Sequence, residues 1–409
     1  MISKLLFLFI PIFIYGDSLQ ELLEYSNKNN DLITSKNLTK KSKSLELESA
    51  KSASYPTLDV GAFYQSLEEK TLMMSGDTYS GYAKISYDIY DGGKKSSTIK
   101  QKQNELESTS FDVTSFEKNL ALLLVQDFFS IKNHDASLLA LEEKKVTLKA
   151  QLERVKKFYE AGLATKDEVD KLQSASDTNI YNIESLKFQR LRVKQSLELK
   201  VGKEIFNLED ASFVKNLDMS IELDDATKSL QEKANSLQNQ ANSLKSVYLP
   251  QVNISDTYSI YGYSRTDAMH PSGVDNQNKL MLSLNLRLFD GGSVEKNIQA
   301  IMTNKNSLKT EIKYKTKEQK MLFDVAKSKI VTTKLKIKSA KSALVSAKGV
   351  YSTIERKYKA GLVDNIAYLD ALSVKINAIS LYKSSLNDLE VAYAIYYFYA
   401  GKNIEEFIK

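Results

Sequence analysis

Side chains suited to catalysis or metal binding are sparse in this sequence. The chain contains two histidines, His134 and His270, and no cysteine. Neither histidine has partners at the spacing of a metal site, and without cysteine the chain forms neither disulfides nor thiolate nucleophiles. No serine lies in the glycine-flanked motif that exposes a nucleophile on a tight turn. The sequence therefore predicts a protein that is not an enzyme and uses no metal or cofactor.

The charged residues are numerous but dispersed. Lysine and arginine total 57 and aspartate and glutamate total 51, which leaves a net charge of +6 over 409 residues. No dense basic tract of the kind that contacts nucleic acid interrupts this mixture. The charges are therefore predicted to cover helix surfaces, and nucleic acid is not an expected partner.

Three glycine motifs occur twice, with the copies 199 residues apart, as from position 91 to position 290. A long internal repeat of this kind indicates two similar structural units that share one architecture. We therefore predict a first structural repeat at 17–202 and a second at 223–401, with a connector at 203–222 and a tail at 402–409. The paired motifs are Asp91-Gly92-Gly93 with Asp290-Gly291-Gly292, Ala161-Gly162-Leu163 with Ala360-Gly361-Leu362, and Val201-Gly202-Lys203 with Ala400-Gly401-Lys402.

The N-terminal segment has the composition of a secretory signal peptide. Lys4 precedes an apolar run from Leu5 to Tyr15, and Gly16 precedes the polar Asp17. A charged start, a short apolar stretch and a small residue at the boundary are typical of cleaved signals. The run is too short to cross a bilayer as a helix. We predict a signal peptide at 1–16, with a buried N-terminal helix as the alternative.

Long stretches without proline follow each Asp-Gly-Gly motif. No proline occurs between positions 57 and 249 or between 272 and 409, and apolar residues recur at every seventh position in the second stretch. Such a repeat is typical of helices that supercoil against partner helices. Each long helix should turn at its Ala-Gly-Leu motif, where glycine suits the left-handed residue that ends a helix. We therefore predict antiparallel helical hairpins at 94–200 and 293–400. The heptad residues are Ile330, Ile337, Leu344, Tyr351 and Tyr358.

Two segments between the helices alternate apolar and polar residues. Leu58, Val60 and Ala62 alternate with Asp59 and Gly61 in the first segment, and leucines alternate in the same way at 280–288 in the second. We predict β-hairpins at 57–90 and 251–289. The alternation fits barrel strands with one face toward lipid and the other toward water, although a soluble sheet with one buried face has the same pattern. Four strands cannot close a barrel alone, so two, three or four copies would have to combine.

The two Asp-Gly-Gly motifs lie where each hairpin ends and each long helix begins. Aspartate is a favoured helix cap, and glycine adopts the positive φ that a sharp exit from a strand requires. We therefore expect Asp91, Gly92 and Gly93, and their counterparts Asp290, Gly291 and Gly292, to be structural.

Four short segments recur in a fixed order among the helices and hairpins: Tyr90 to Gly93, Tyr159 to Leu163, Phe289 to Gly292 and Tyr358 to Leu362. The order of these segments resembles that of the TolC family of outer-membrane export channels. The resemblance covers essentially the whole chain after the predicted signal peptide. The resemblance implies a homotrimer whose twelve strands form a β-barrel in the lipid of the outer membrane and whose long helices form an α-barrel in the periplasm. It also implies that residues 203–222 and 402–409 form an equatorial belt.

The resemblance further implies how the protein works. Channels of this family receive substrates from an inner-membrane pump, either an efflux or an ABC transporter, through a periplasmic adaptor protein. The turns Gly162-Leu163-Ala164 and Gly361-Leu362-Val363 would contact the adaptor. Efflux of drugs or toxic compounds is the first expectation, and type I protein secretion is the alternative. A surface coiled-coil adhesin would leave the hairpins unexplained, and a passive porin would need more strands than can be read.

Candidate gate residues also follow from the resemblance, by position. Asp370 falls on an acidic residue at the narrowest ring of the family's tunnel. Copies of a carboxylate around one axis repel each other and attract cations. The family's second acidic ring falls on Ala367, and Asp364, about one turn earlier, is the residue expected to compensate.

A second set of gate contacts departs from the family pattern. Tyr358 matches a tyrosine that tethers the inner helical hairpin to its neighbour, and Glu168 stands in place of the family's aspartate partner. Val363 replaces a latch arginine, so the closed state is expected to have fewer polar links. A solvated loop with ordinary caps is the alternative for all of these candidate gate residues, Asp370 and Asp364 included. The expected substitutes for the latch are Lys166, Asp167 and Asp170.

Overall fold

The computed structural model describes residues 17–69, 75–264 and 274–409. The predicted signal peptide at 1–16 lies outside the described residues. In the first half of the chain the elements are α1 (Leu19–Asn29), α2 (Asp31–Ser52), β1 (Thr57–Ser66), β2 (Asp77–Tyr90), α3 (Lys94–Glu160) and α4 (Lys166–Val201). In the second half they are α5 (Asp225–Lys245), a 3-10 turn (Ser246–Tyr248), β3 (Gln251–Ser264), β4 (Asn276–Asn285), α6 (Ser293–Lys359), α7 (Asn365–Tyr399) and a 3-10 turn (Ile404–Phe407).

The predicted fold class is confirmed, because each half contains two strands followed by two long helices, in the same order, and the four strands lie in one sheet. One strand is shorter than the alternating pattern suggested. β4 ends at Asn285, which pairs with Gln251 at the start of β3. The residue before Gln251 is Pro250, which has no amide hydrogen to extend the ladder. Leu286 and Leu288 therefore lie beyond the strand. Of the helices in the described ranges, none combines the length and apolar composition needed to span a membrane.

The chain divides into two compact units. Of the described residues, unit 1 contains those up to Lys36, Thr114–Asp224 and Thr316–Lys409, and unit 2 contains those within Asn37–Val113 and Asp225–Lys315. Each unit therefore draws segments from both sequence repeats. The duplication builds shared units from its two halves and does not separate into one domain per repeat.

Unit 2 contains a four-stranded antiparallel sheet in the order β1-β2-β3-β4. Residues paired across the strands share a face, so the register separates an apolar face from a polar face. A typical row of the polar face is Asp59, Lys84, Thr257 and Lys279. The apolar face carries two charged side chains among its described strand residues, Asp77 at the start of β2 and Asp256 opposite Ile85 and Leu280. Its exposed large side chains include Leu58, Val60, Ile85, Tyr87, Tyr258, Ile260, Leu280, Leu282 and Leu284.

The core of unit 1 contains most of the largest buried side chains. Phe128 of α3, Leu197 of α4 and Tyr393, Tyr396 and Tyr397 of α7 belong to one apolar cluster with α1 and the connector. The connector is fixed to α7 by polar bonds as well. Its Leu217 carbonyl accepts from the Tyr396 hydroxyl at 2.7 Å, and the Phe213 amide donates to the Glu390 carboxylate at 2.8 Å. The Val214 amide donates to the Phe407 carbonyl at 2.8 Å, so connector and tail lie together.

Side-chain hydrogen bonds connect the long helices within unit 1. They join α4 to α3, α3 to α7 and α7 to α6. The buried side of α6 follows the predicted heptads, with Ile330 and its neighbouring line Ala326, Ala340 and Ala347 removed from solvent. The bonds are Asn179 to the Leu141 carbonyl (α4 to α3, 3.1 Å), Ser137 with Ser380 (α3 with α7, 2.7 Å) and Lys336 to Asp388 (α6 to α7, 2.8 Å).

Candidate functional site at the two helical turns

The two Ala-Gly-Leu turns have the same geometry. Gly162 and Gly361 adopt φ values of 73° and 72°, which is the left-handed conformation that L side chains rarely adopt. In the first turn the Leu163 amide donates to the Phe158 carbonyl at 2.7 Å, and in the second the Leu362 amide donates to the Lys357 carbonyl at 2.9 Å. These are bonds of the Schellman type, in which glycine ends one helix and lets the chain reverse.

The returning helices begin at side-chain caps. The Glu168 amide donates to the Thr165 hydroxyl at 3.4 Å, and the Ala367 amide donates to the Asp364 carboxylate at 2.9 Å. Each cap satisfies an amide that the first turn of a helix leaves without an internal partner. Asp364, expected from the resemblance to compensate for a lost acidic ring, therefore has a capping role in the single chain.

A cleft of about 680 Å³ joins the two turns. Its walls come from the ends of α3, α4, α6 and α7. Asn365 at the start of α7 is 4% exposed, and its side-chain amide has no hydrogen-bond partner among the described residues. The cleft therefore contains a buried polar group with unused donor and acceptor capacity. The lining residues include Arg154, Phe158, Leu163, Ala164, Glu168, Tyr358, Gly361, Leu362, Val363, Asp364 and Asn365.

Tyr358 lies at the centre of the aromatic contacts behind this cleft. Its ring stacks on Tyr368 with centroids 4.8 Å apart, and the Arg154 guanidinium lies 5.8 Å from its centroid. Burial raises the pKa of the Tyr358 hydroxyl, Arg154 opposes that shift, and the Glu168 carboxylate adds to it. Tyr358 and Glu168, expected to act together, thus face the same cleft.

Other predicted residues lie apart from the cleft lining. Asp370 is exposed on α7, and the structure places it outside the residues that form the cleft walls. Asp167 is held by Lys171 on its own helix at 2.6 Å. Lys166 and Asp170 are exposed on the first turns of α4. No sequence motif marked Arg154, Tyr368 or Asn365 as part of this site. Their contacts depend on how α3, α6 and α7 pack against one another.

The buried hydroxyl of Tyr368 should make the turns sensitive to alkaline pH. Tyr368 is fully buried, and its hydroxyl lies 3.3 Å from that of Tyr351. Burial first, and then the bond to Tyr351, raise the pKa of Tyr368 above its ordinary value of 10.0. The folded state then holds its proton more tightly than the unfolded state. The contribution of Tyr368 to the free energy of unfolding is therefore fully present below pH 10. Above pH 10 it decreases by about 1.4 kcal/mol per pH unit.

We expect the Tyr368→Phe variant to lose this part of the alkaline sensitivity. Thermal unfolding midpoints of the purified protein between pH 8.5 and 11 would measure the effect. The wild-type midpoint should fall more steeply than that of the variant. Equal slopes in the two proteins would contradict the assignment.

The Asp-Gly-Gly motifs of unit 2 form a second pair of matching turns. The Asp91 carboxylate accepts from the Gly93 and Lys95 amides at 2.9 and 2.6 Å. The Asp290 carboxylate accepts from the Gly292 and Val294 amides, both at 2.9 Å, and from the Tyr248 hydroxyl at 2.6 Å. All four glycines of these motifs, Gly92, Gly93, Gly291 and Gly292, have positive φ. The turns close the strands and cap α3 and α6.

The described residues contain no cluster of side chains that could bind a metal ion. Across 17–69, 75–264 and 274–409, no group of three or more histidine, aspartate or glutamate side chains is placed to hold a metal ion. The candidate site consists of exposed turns, an open cleft and aromatic packing.

Comparison with known proteins relates this arrangement to a family. A family model described as outer membrane efflux protein matches residues 26–203 and 216–378. A search among curated protein sequences gives no match.

Solved structures with the same fold come from several bacteria. A membrane protein from Pseudomonas aeruginosa superposes with a TM-score of 0.83 at 13% identity, over 94% of this chain and 93% of its own. The Campylobacter jejuni CmeC outer membrane channel superposes with a TM-score of 0.83 at 14% identity, over 95% of this chain and 86% of its own. The Vibrio cholerae outer membrane protein VceC superposes with a TM-score of 0.80 at 13% identity, over 94% of this chain and 96% of its own. At these identities the likeness establishes the fold.

Proposed function

Because the chain belongs to the outer membrane efflux protein family, we propose that three copies form a channel-tunnel through the outer membrane. Substrates would enter from an inner-membrane pump by way of a periplasmic adaptor and leave to the exterior. The observation that carries this proposal is the four-stranded sheet of unit 2. Its apolar side chains are exposed on one face while the other face is polar.

The sheet needs further strands to be stable in lipid. In the described chain β1 and β4 each have one neighbour, so both present a free edge. Unpaired backbone groups are very unfavourable in the hydrocarbon region, and closed barrels avoid them. Three copies supply twelve strands, an even number within the range of known barrels. The apolar face would contact lipid, and the polar face would line a water-filled pore.

The two helical turns are the proposed contact points for the adaptor. Leu163 and Leu362 at their tips are 76% and 74% exposed. Exposed apolar side chains next to a cleft are a common feature of protein contact sites. We place Gly162, Ala164, Gly361 and Val363 in the same contact. The partner would be a helical adaptor protein, and the pump behind it an efflux or ABC transporter.

For the closed state we propose that Asp370 forms a ring of carboxylates at the narrow end, with Tyr358 and Glu168 holding the helical hairpins together. A ring of carboxylates favours cations and binds divalent ions. We expect the Asp370→Ala variant to lose most of its cation selectivity and its block by divalent ions, measured on single channels in planar bilayers. Asp388 lies on the same helix, is partly exposed and pairs with Lys336. The Asp388→Ala variant therefore serves as a control. Unchanged selectivity in Asp370→Ala would exclude Asp370 from the gate.

The proposed cargo is drugs or other toxic small compounds, with type I protein secretion as the second candidate. A deletion strain tests both. Increased accumulation of a fluorescent dye and greater sensitivity to bile salts, each reversed by the intact gene, would support efflux. Loss of a secreted protein with unchanged dye accumulation would favour secretion. Neither defect, together with purification in the absence of detergent, would contradict a channel and favour a surface coiled-coil protein.

A further inference from the structure

A row of exposed lysines runs along one side of α6 within unit 1. Its members are seven residues apart, and a seven-residue step returns to nearly the same side of a helix. From the first to the last, the row extends over about 42 Å of helix. We call this set the lysine row, and it consists of Lys320, Lys327, Lys334, Lys341 and Lys348.

The lysine row is a property of this helix and not of the internal repeat. Between Val325 and Ile354 the sequence of α6 contains seven lysines and no aspartate or glutamate. The five positions that lie 199 residues earlier, in α3, contain one lysine. A shared heptad pattern therefore does not account for the row. The earlier residues are Ala121, Phe128, Asp135, Glu142 and Lys149.

The charges of the lysine row are not neutralised within the chain. Among the described residues, none of the five lysines forms a salt bridge. The ammonium group of Lys334 lies 5.7 Å from the centroid of the Tyr393 ring on α7, and such a contact leaves the positive charge in place. Like charges in a row create a positive potential along the helix, which attracts anions.

The lysine row and Asp388 lie on opposite sides of the contact between α6 and α7. The two helices pack through Phe323 and Tyr396, whose ring centroids are 4.9 Å apart. Residues two apart on a helix are separated by about 200°, so Lys334 and Lys336 reach α7 from opposite sides of this contact. Lys336 pairs with Asp388 at 2.8 Å.

Asp370 lies on the same side of α7 as Asp388. The two residues are 18 positions apart, which is five full turns of an α-helix. In the proposed channel Asp370 faces the passage. The lysine row, on the other side of the same helices, therefore faces away from the passage and lies on the outside of the tunnel.

We propose that the lysine row binds peptidoglycan, the carboxylate-bearing polymer of the cell wall, on the outside of the tunnel. The inference rests on the channel assignment, which places the row in the periplasm, where this polymer lies. Peptides along peptidoglycan carry free carboxylates that complement a row of lysines in charge. A row of about 42 Å fits a linear polymer better than a small anion. Each exposed lysine–carboxylate pair contributes little, but several pairs on one polymer reinforce each other.

Co-sedimentation of the detergent-purified, full-length protein with protein-free peptidoglycan sacculi tests the proposal. The wild-type protein should pellet at low salt and be released at high salt, because salt screens exposed charges. The Lys327→Gln, Lys334→Gln variant should bind at least about fivefold more weakly. The matched control is the Lys329→Gln, Lys336→Gln variant, which removes the same charge at nearly the same height from the opposite side of α6. Sacculi whose carboxylates have been amidated should not bind the wild-type protein.

The outcomes separate this inference from the channel assignment. Equal losses in the two double variants, or undiminished binding to amidated sacculi, would overturn the proposal. In planar bilayers the Lys327→Gln, Lys334→Gln variant should keep the ion selectivity of the wild type, and a changed selectivity would place the row in the passage and overturn it as well. A wild-type protein that conducts ions but does not pellet would overturn the binding surface and leave the channel intact. One that pellets but conducts no ions would support the binding surface and overturn the channel assignment.

Discussion

Replacing Leu282 with arginine is expected to destabilise the protein in membranes by about 2–4 kcal/mol per copy, while the same change at the adjacent Met281 costs far less. Leu282 lies on the apolar face of the sheet, paired with Ile254. Met281 lies on the polar face, paired with Ser255. Both side chains are exposed in the single chain, at 67% and 43%, so loss of internal packing does not separate them. The difference arises only if one face meets lipid.

The comparison can be made by folding both variants into lipid vesicles from urea. The fraction of protein that inserts, followed as a function of denaturant, gives the free energy of the membrane-bound state. The Leu282→Arg variant should insert at lower yield and unfold at lower urea than Met281→Arg. Equal losses in the two variants would contradict a lipid-facing sheet.

Gly401→Ala should be among the most destabilising single substitutions in the chain, by at least about 3 kcal/mol. Gly401 has φ +81°, and a Cβ atom there would lie 2.5 Å from the main-chain oxygen of Glu222. A main-chain atom cannot rotate away as a flexible side chain can. The added methyl group therefore brings backbone strain and also displaces the connector from α7.

Two other glycines provide graded controls for this substitution. Gly202, the counterpart of Gly401 in the first repeat, has φ +89°, but its nearest contact would be the Asn29 oxygen at 3.5 Å. Gly202→Ala should therefore cost only the strain of the left-handed conformation, about 1–2 kcal/mol. Gly349 lies in α6 with open space around it, so Gly349→Ala should stabilise by about 0.5–1 kcal/mol. Unfolding midpoints in detergent would rank the three variants, and a loss at Gly202 equal to that at Gly401 would contradict the argument.

These glycines also illustrate how far the sequence predicts the fold. Repeated motifs and seven-residue periodicity predicted the long helices and their turns, and the alternation of apolar and polar residues predicted the strands, because backbone preferences and local pattern determine them. The sequence treats Gly202 and Gly401 as equivalents. The structure distinguishes them because the connector, which has no regular pattern, packs against only one of the two.

The candidate site was predictable to a similar extent. Glycine at a helix end marks the tips of both turns, so Leu163 and Leu362 could be identified from the sequence. The aromatic contacts behind the two tips could not be identified from the sequence. Arg154 lies over Tyr358, and Tyr358 stacks on Tyr368, through the packing of α3, α6 and α7. Such contacts depend on the angle and spacing between helices, which periodicity alone does not specify.

Single-particle electron microscopy of the detergent-purified, full-length protein would show how many copies assemble and whether they enclose a pore. We expect three copies around an axis, a β-barrel to which each copy contributes four strands, and an open passage that continues between the long helices. A monomer, or an oligomer with no passage along its axis, would contradict this expectation.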